Sequence, residues 1–383
     1  MTYDFDRPVD RIGSDSTKWR VYGPGVLPLW TADMDFRVPE PVIAALRARV
    51  DHGVFGYCVE PPELREILAE RLGRLYGWHV SAGDIVLGTG VVTAFHRACR
   101  AAAGPTDGIL VQTPVYQPIL GAATHNGSVG QQAPLARRAD GRWEIDFEAF
   151  ETAVTGRTRV FILCNPHNPV GRVFSRADLE RLAAMCLRRD VLICSDEIHC
   201  DLVFPGSAHM PIASLDPEVA KRCVTLMAPS KTFNVPGLRC SFAVVTDPDL
   251  RRRLVGEESA TFSEVNNLAL AATLAAYRDG QDWLDQVLAY LAANRDFVAE
   301  FVRRELPGAA MAPPEATYLA WLDCRTCGID GNPQQFFLER ARVALQDGEW
   351  FGPGGEGFVR LNFGCTRATL AEALERMATA LRE

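Results

Sequence analysis

The chain has 383 residues, a hydrophobic fraction of 48%, a charged fraction of 23% and a formal net charge of −8. Those are ordinary globular proportions, so disorder and coiled coil are poor readings, and the acidic balance disfavours nucleic acid as a partner. No run approaches the ~20 consecutive apolar residues of a membrane helix, and Met1–Asp6 carries no basic patch with an apolar core behind it. The expectation is a cytoplasmic protein with no membrane partner. The 11 cysteines are an odd number, scattered through the chain, which points to reduced thiols rather than a disulfide framework. Cys324 and Cys327 form a lone C-x-x-C with no second pair or nearby histidine, so no metal is expected.

In chain order, the first ~45 residues are rich in Pro and Trp and too irregular to fold alone. Short apolar, β-branched runs come next at Ile85–Leu87, Ile109–Val111, Val160–Cys164, Val191–Cys194, Val224–Met227 and Phe242–Val245. They lack polar alternation, which predicts strands buried on both faces of a parallel sheet. Helical patterns lie between them. One runs from Val91 to Ala103, and in another Ser175 caps a stretch with Leu179, Leu182, Ala183 and Cys186 on one face. Alternation of strand and helix implies a doubly wound α/β domain. Beyond it, a helix is expected over about Asp282 to Glu305, then short strands at Tyr318–Leu322 and Phe358–Asn362, then a helix over about Leu370–Leu381. The expected division is a large domain over 46–281 and a smaller α+β domain made of 1–45 with 282–383.

Ligands of open parallel sheets bind outside the carboxyl ends of the strands, so the residues just past each strand matter. Gly88-Thr89-Gly90-Val91 opens a helix, where free N–H groups bind an anion. Asn165-Pro166-His167-Asn168-Pro169-Val170-Gly171 sets a carboxamide, Asn168, at a second strand end. Ser195-Asp196-Glu197-Ile198-His199 sets carboxylates at a third, and Ala228-Pro229-Ser230-Lys231 sets a lysine at a fourth. Each alone has a plain alternative: a tight turn, punctuation, a helix cap, a surface charge. The lysine stands out because only Lys18, Lys221 and Lys231 occur among the 40 basic residues. Arginine cannot replace a Schiff-base amine. Lys18 and Lys221, outside strand contexts, fit solvated surface charges. A phosphate cradle, an amide donor, a carboxylate and a lysine in this order meet the needs of pyridoxal 5′-phosphate, with its phosphate, ring hydroxyl, pyridine nitrogen and aldehyde.

The chain resembles the fold-type I pyridoxal-phosphate enzymes of the class I/II aminotransferase superfamily, and more narrowly the MalY/PatB-like cystathionine β-lyase (C–S lyase) branch. The resemblance rests on Lys18-Trp19, Pro28–Phe36, Phe55-Gly56-Tyr57, Asn165–Gly171, Ser195–Asp201, Pro229–Asn234, Pro314–Asp323 and Gly357–Asn362. It implies that Lys231 is the Schiff-base lysine and general acid/base, that Asp196 pairs with the pyridine nitrogen, and that Asn168 pairs with the ring hydroxyl. Tyr116 would stack on the ring, Gly90, Val91 and Ser230 would bind the phosphate, and His199 would support the hydroxyl network. Arg360, with Asn168, Ala32 and Asp33, would bind the substrate, Arg360 clamping its α-carboxylate. Tyr57 would reach a partner subunit's phosphate, which implies a homodimer with shared sites. Three positions depart from the pattern: Ala228 stands where aminotransferases often have serine, Cys58 where the branch commonly has threonine, and Arg239 where many aminotransferases have a phosphate-binding arginine. Arg239 would offset Ala228 and gives weight to transaminase-like chemistry. The expected activity is α,β-elimination on an L-cysteine S-conjugate or cystathionine, with thiol, pyruvate and ammonia as products. The alternatives are an aminotransferase or a decarboxylation-coupled deaminase acting on a cysteine-conjugated intermediate. A binding protein on an inactive scaffold is disfavoured by the intact Lys231, Asp196, Asn168 and Arg360.

Overall fold

The computed structural model describes residues 1–256 and 265–383. A short strand β1 (Leu27–Pro28) precedes the large sheet, whose strands are β2 (Ile85–Gly88), β3 (Gly108–Thr113), β4 (Val129–Arg137), β5 (Trp143–Ile145), β6 (Thr158–Cys164), β7 (Leu192–Asp196), β8 (Cys223–Met227) and β9 (Ser241–Val244). Their spatial order is β2-β9-β8-β7-β6-β3-β4-β5. The run β8-β7-β6-β3-β4 is parallel. The sheet as a whole is mixed, which corrects the expectation of parallel strands throughout. Strand β9 runs antiparallel to both its neighbours, and β5 runs antiparallel to β4. Burial on both faces makes a strand continuously apolar whatever its direction, so the pattern of Phe242–Val245 carries no sign of its polarity. Strands β4 and β5 went unread because Gln131, Gln132 and Pro134 break the apolar run, and β4 is half exposed.

Successive residues of a buried strand feed opposite faces. In β6, Phe161 and Leu163 join one core while Val160, Ile162 and Cys164 join the other. The helix Val91–Ala102 packs Phe95, Ala98 and Cys99 onto the second face. The helix Arg176–Arg188 starts as its sequence predicts. The Ser175 hydroxyl accepts from the Asp178 N–H, the Asp178 side chain accepts from the Ser175 N–H, and Leu179, Leu182, Ala183 and Cys186 are buried. Because β9 is antiparallel on both sides, β2 points the same way as β8. The carboxyl ends of β2, β3, β6, β7 and β8 therefore share one edge.

The C-terminal portion holds the helix Gln281–Glu305, strands β10 (Leu319–Asp323), β11 (Val343–Ala344), β12 (Gln346–Asp347) and β13 (Phe358–Asn362), and the helix Arg367–Arg382. Strand β13 lies between β10 and β12, antiparallel to both. The N-terminal segment joins this part: β1 pairs in parallel with β11, and Phe5 sets its ring edge-on to Trp283 at 5.9 Å. Buried Asn294 of the helix Gln281–Glu305 donates to the carbonyls of Phe363 and Cys365 at 3.0 and 2.9 Å, just past β13, and accepts from Arg367 of the last helix at 2.9 Å. Among the described residues no helix is long and apolar enough to cross a membrane.

Candidate active site

A cavity of about 490 Å³ opens where the strand ends meet β12, β13 and the segment Trp30–Ala32. From β2 and the helix after it come Gly90 and Val91. The turns after β3 and β6 bring Tyr116 and Asn168, and β7 brings Asp196 with His199 just beyond. Ser230 and Lys231 come from the helical turn Pro229–Thr232, Arg239 from the stretch after it, Ala32 from the N-terminal segment and Arg360 from β13. Two residues named from the sequence lie elsewhere. The Asp33 carboxylate turns to Arg11, 2.8 Å away, and to Lys18. Tyr57 sits on a fully exposed stretch outside the cavity.

Lys231 is fixed through its neighbours. The Thr232 hydroxyl donates to Asp201 at 2.9 Å, and Asp201 pairs with Arg71 at 2.7 Å. The Lys231 amine donates to the Ala32 carbonyl at 2.6 Å, an oxygen that also accepts from the Tyr318 hydroxyl at 2.8 Å. Loss of hydration pulls its pKa down to about 8, with the nearby Arg360 charge acting in the same direction and Asp33 and Asp196 opposing. At pH 7 an amine so tuned is the free base for roughly a tenth of the time, on the order of a hundredfold more than a lysine in water, which suits a nucleophile and proton acceptor.

Asp196 is buried and receives one N–H, from Ile198 at 3.1 Å. Burial, with like charge from Glu197, pushes its pKa up to about 7. Glu197 is held apart from the cavity by the Ser195 hydroxyl and by His209, each at 2.8 Å. A buried carboxyl lacking a cation is matched by a protonated ring nitrogen. A lysine amine of lowered pKa, an underpaired carboxylate, a helix start with open N–H groups and an arginine beside it therefore fit pyridoxal phosphate. The same imbalance predicts a stability effect. In the cofactor-free protein, folded Asp196 keeps its proton to about pH 7, whereas unfolded it loses it near pH 4, so its contribution to stability falls as pH rises through that window. Cofactor-free Asp196→Asn is expected to melt above the wild type by a margin that grows, on the order of a few °C, between pH 5 and pH 8. An equal margin at both pH values contradicts this account of the site.

Arg360 is buried, donates to the Asn168 carboxamide oxygen at 3.0 Å and to the Trp30 carbonyl at 2.8 Å, and lies 4.9 Å over the Phe351 ring. Its Nε has no partner among the described residues, nor does Nδ1 of His199. Burial lowers the pKa of Arg360 to about 10 and that of His199 to about 3, which leaves the first cationic and the second neutral at pH 7. The Asn168 turn is rigid: the His167 ring nitrogens lie 3.1 and 2.8 Å from the carbonyls of Cys164 and Pro114. Gly171 closes the turn at φ 69°, where a Cβ would lie 2.3 Å from Pro314.

Lys18 overturns the expectation of a solvated charge. Its side chain is fully buried, 2.8 Å from Asp35, and donates to the Asp33 carbonyl at 3.1 Å. The reason lies in the segment 30–36, whose carbonyls are taken up by side chains. Arg360 takes Trp30; Asn362 takes Thr31 and Asp33 at 2.6 and 2.7 Å; Asn234 takes Met34 and Phe36 at 2.8 and 2.9 Å. Lys18 is part of that frame, and the frame sets the carbonyl that meets Lys231. Lys221 is exposed and pairs with Glu218, as expected of a surface charge. Tyr318, which shares the Ala32 carbonyl with Lys231, and Trp350 and Gln346, which line the cavity, have no local sequence pattern that sets them apart from core or turn residues.

The family model described as aminotransferase class I and II matches residues 25–377. The cystathionine β-lyase PatB of Bacillus subtilis (strain 168) is 41% identical over 386 residues, covering 99% of this chain and 100% of PatB. Among solved structures, OvoB is 43% identical with a TM-score of 0.94 over 99% of both chains. Cystalysin from Treponema denticola, which contains a pyridoxal 5′-phosphate cofactor, is 32% identical with a TM-score of 0.95, over 100% of this chain and 99% of its own. With the strand-end crevice and likeness over nearly its whole length, the chain belongs to the aminotransferase class I and II family of fold-type I pyridoxal-phosphate enzymes, on the branch that includes PatB.

Proposed function

We propose that the protein is a pyridoxal-phosphate-dependent carbon–sulfur lyase that splits L-cysteine S-conjugates into thiol, pyruvate and ammonia. The observation that carries it is the convergence of Lys231, Asp196, Asn168 and Arg360 on one cavity in a chain 41% identical to a cystathionine β-lyase. Lys231 would hold the aldehyde, Asp196 the pyridine nitrogen and Asn168 the ring hydroxyl, with His199 behind it. Gly90, Val91, Ser230 and Arg239 would hold the phosphate, and Tyr116 would cover the ring. Bound in this way, the cofactor supplies an electron sink for the pair left when the Cα–H bond breaks.

The chain's own residues do the rest. Arg360 clamps the α-carboxylate, aided by Asn168 and the Ala32 segment, so that the Cα–H bond faces the Lys231 amine. Lys231 takes the Cα proton. The Cβ–S bond then breaks with its electron pair on sulfur, a Cα=Cβ double bond forms, and Lys231 returns a proton to the departing thiolate. The 2-aminoacrylate released adds water to give pyruvate and ammonia. The crevice lies between a body over 46–281, which contributes Lys231, and one made of 1–45 with 282–383, which contributes Ala32 and Arg360. A homodimer is part of the same reading: Val54, Phe55, Tyr57 and Val59 form an exposed apolar run that a second subunit would cover, with Tyr57 reaching its site.

Product analysis tests the reading. With S-methyl-L-cysteine, thiol, pyruvate and ammonia are expected in equal amounts. An oxo acid that keeps its sulfur, with loss of the cofactor aldehyde, would show an aminotransferase instead.

A further inference from the structure

The turn that follows β10 carries the chain's single C-x-x-C, outside the crevice. It spans Cys324-Arg325-Thr326-Cys327 and is closed by the Cys327 N–H donating to the Cys324 carbonyl at 3.1 Å. Four residues folded in this way bring the two end Cα atoms within about 7 Å, which is the reach of a disulfide. The two thiols are hydrogen-bonded to each other. Neighbours pin the turn. The Cys324 N–H donates to the Gly357 carbonyl at 3.0 Å, the Thr326 hydroxyl to the Gly308 carbonyl at 2.7 Å, and the Arg325 guanidinium to both Asp323 oxygens at 2.9 and 2.8 Å. Gly308 permits that close approach, since a Cβ there would lie 2.1 Å from the Thr326 carbonyl oxygen. Among the described residues no group of three or more His, Cys, Asp or Glu side chains could hold a metal, which leaves the pair with thiol chemistry.

The two sulfurs are not equivalent. Cys327 is partly open to solvent, whereas Cys324 is buried. The hydrogen bond from the Cys324 thiol lowers the pKa of Cys327 against burial and the Asp323 charge, and the same bond, with burial, pushes Cys324 up. A partly exposed thiolate beside a buried second thiol is the arrangement in which one sulfur attacks and the other resolves the product. Elsewhere burial raises the thiols of Cys99, Cys164, Cys186 and Cys194, which suppresses attack.

We propose that Cys324 and Cys327 are a redox-active dithiol that closes reversibly to a disulfide by exchange with a low-molecular-weight disulfide. The Cys327 thiolate attacks one sulfur of that molecule, forms a mixed disulfide and expels a first thiolate. The Cys324 sulfur then attacks the Cys327 sulfur and expels the second. Two cysteine thiols are oxidised, one small disulfide is reduced to two thiols, and the two cysteine protons go to those thiols. Nothing in this chemistry depends on the lyase reaction.

The holoenzyme treated with excess oxidised glutathione, quenched in acid, alkylated unfolded and digested with trypsin tests the assignment. Trypsin cuts after Arg325, so a closed disulfide joins two peptides that are otherwise separate. The joined pair is expected in most molecules, forming at least about tenfold faster than any modification of a buried thiol outside the turn, and vanishing with dithiothreitol. Cys324→Ser should stop at glutathione bound to Cys327, and Cys327→Ser should leave Cys324 unmodified. Absence of the joined pair, a glutathione adduct that persists on Cys327 in the wild type, or oxidation of other buried thiols at the same rate overturns the inference.

Discussion

Lys231→Ala is expected to lose activity on every cysteine conjugate, by at least ~10²–10⁴-fold from the missing proton transfer alone. Lys231→Arg should be no better. A guanidinium keeps the charge but stays protonated and cannot condense with an aldehyde. The environment of Lys231 sharpens the expectation, because its pKa of about 8 comes from burial and would not be reproduced by another cation. Added ethylamine should restore part of the rate in the alanine variant and none in the arginine variant, whose side chain still fills the space. Steady-state rates with and without the amine measure this. Retention of more than a tenth of wild-type activity in Lys231→Arg contradicts the assignment.

Arg360→Ala should raise KM and lower kcat together, because the clamp both binds the α-carboxylate and aims the Cα–H bond. Removing one member of a buried charge pair costs about 2–5 kcal/mol, or roughly 30- to 5,000-fold in kcat/KM. Arg360→Lys should recover little, since an ammonium cannot make two parallel bonds to a carboxylate. It also cannot hold both the Asn168 carboxamide and the Trp30 carbonyl in their present places. Kinetics on one conjugate for the three proteins decide the matter. A rise in KM with kcat untouched would mean that Arg360 binds without orienting.

The parts of the site that the sequence showed are those whose chemistry and position are both local. Asn168, Asp196 and Lys231 each come a few residues after a strand-length apolar run, and the run alone places them at a strand end. Arg360 was readable only through resemblance, because 37 of the 40 basic residues are arginine and none stands out by type. The features that stayed hidden depend on contacts far apart in sequence. Lys18 looks like a surface charge until Asp35 and the folded-back segment 30–36 enclose it. Tyr318 meets Ala32 across 286 positions, and Trp350 reaches Tyr116 from a turn that has no motif of its own. The direction of β9 was hidden for a related reason: burial on both faces erases the alternation that would have shown which neighbours it pairs with.

Reductive labelling shows whether Lys231 carries the cofactor at the meeting point of the strand ends. Borohydride treatment of the holoenzyme fixes the pyridoxyl group to the amine that bears it, and peptide mapping reads the position. With only three lysines in the chain, the outcomes are distinct. The label is expected on Lys231. A label on Lys18 or Lys221 would contradict that assignment.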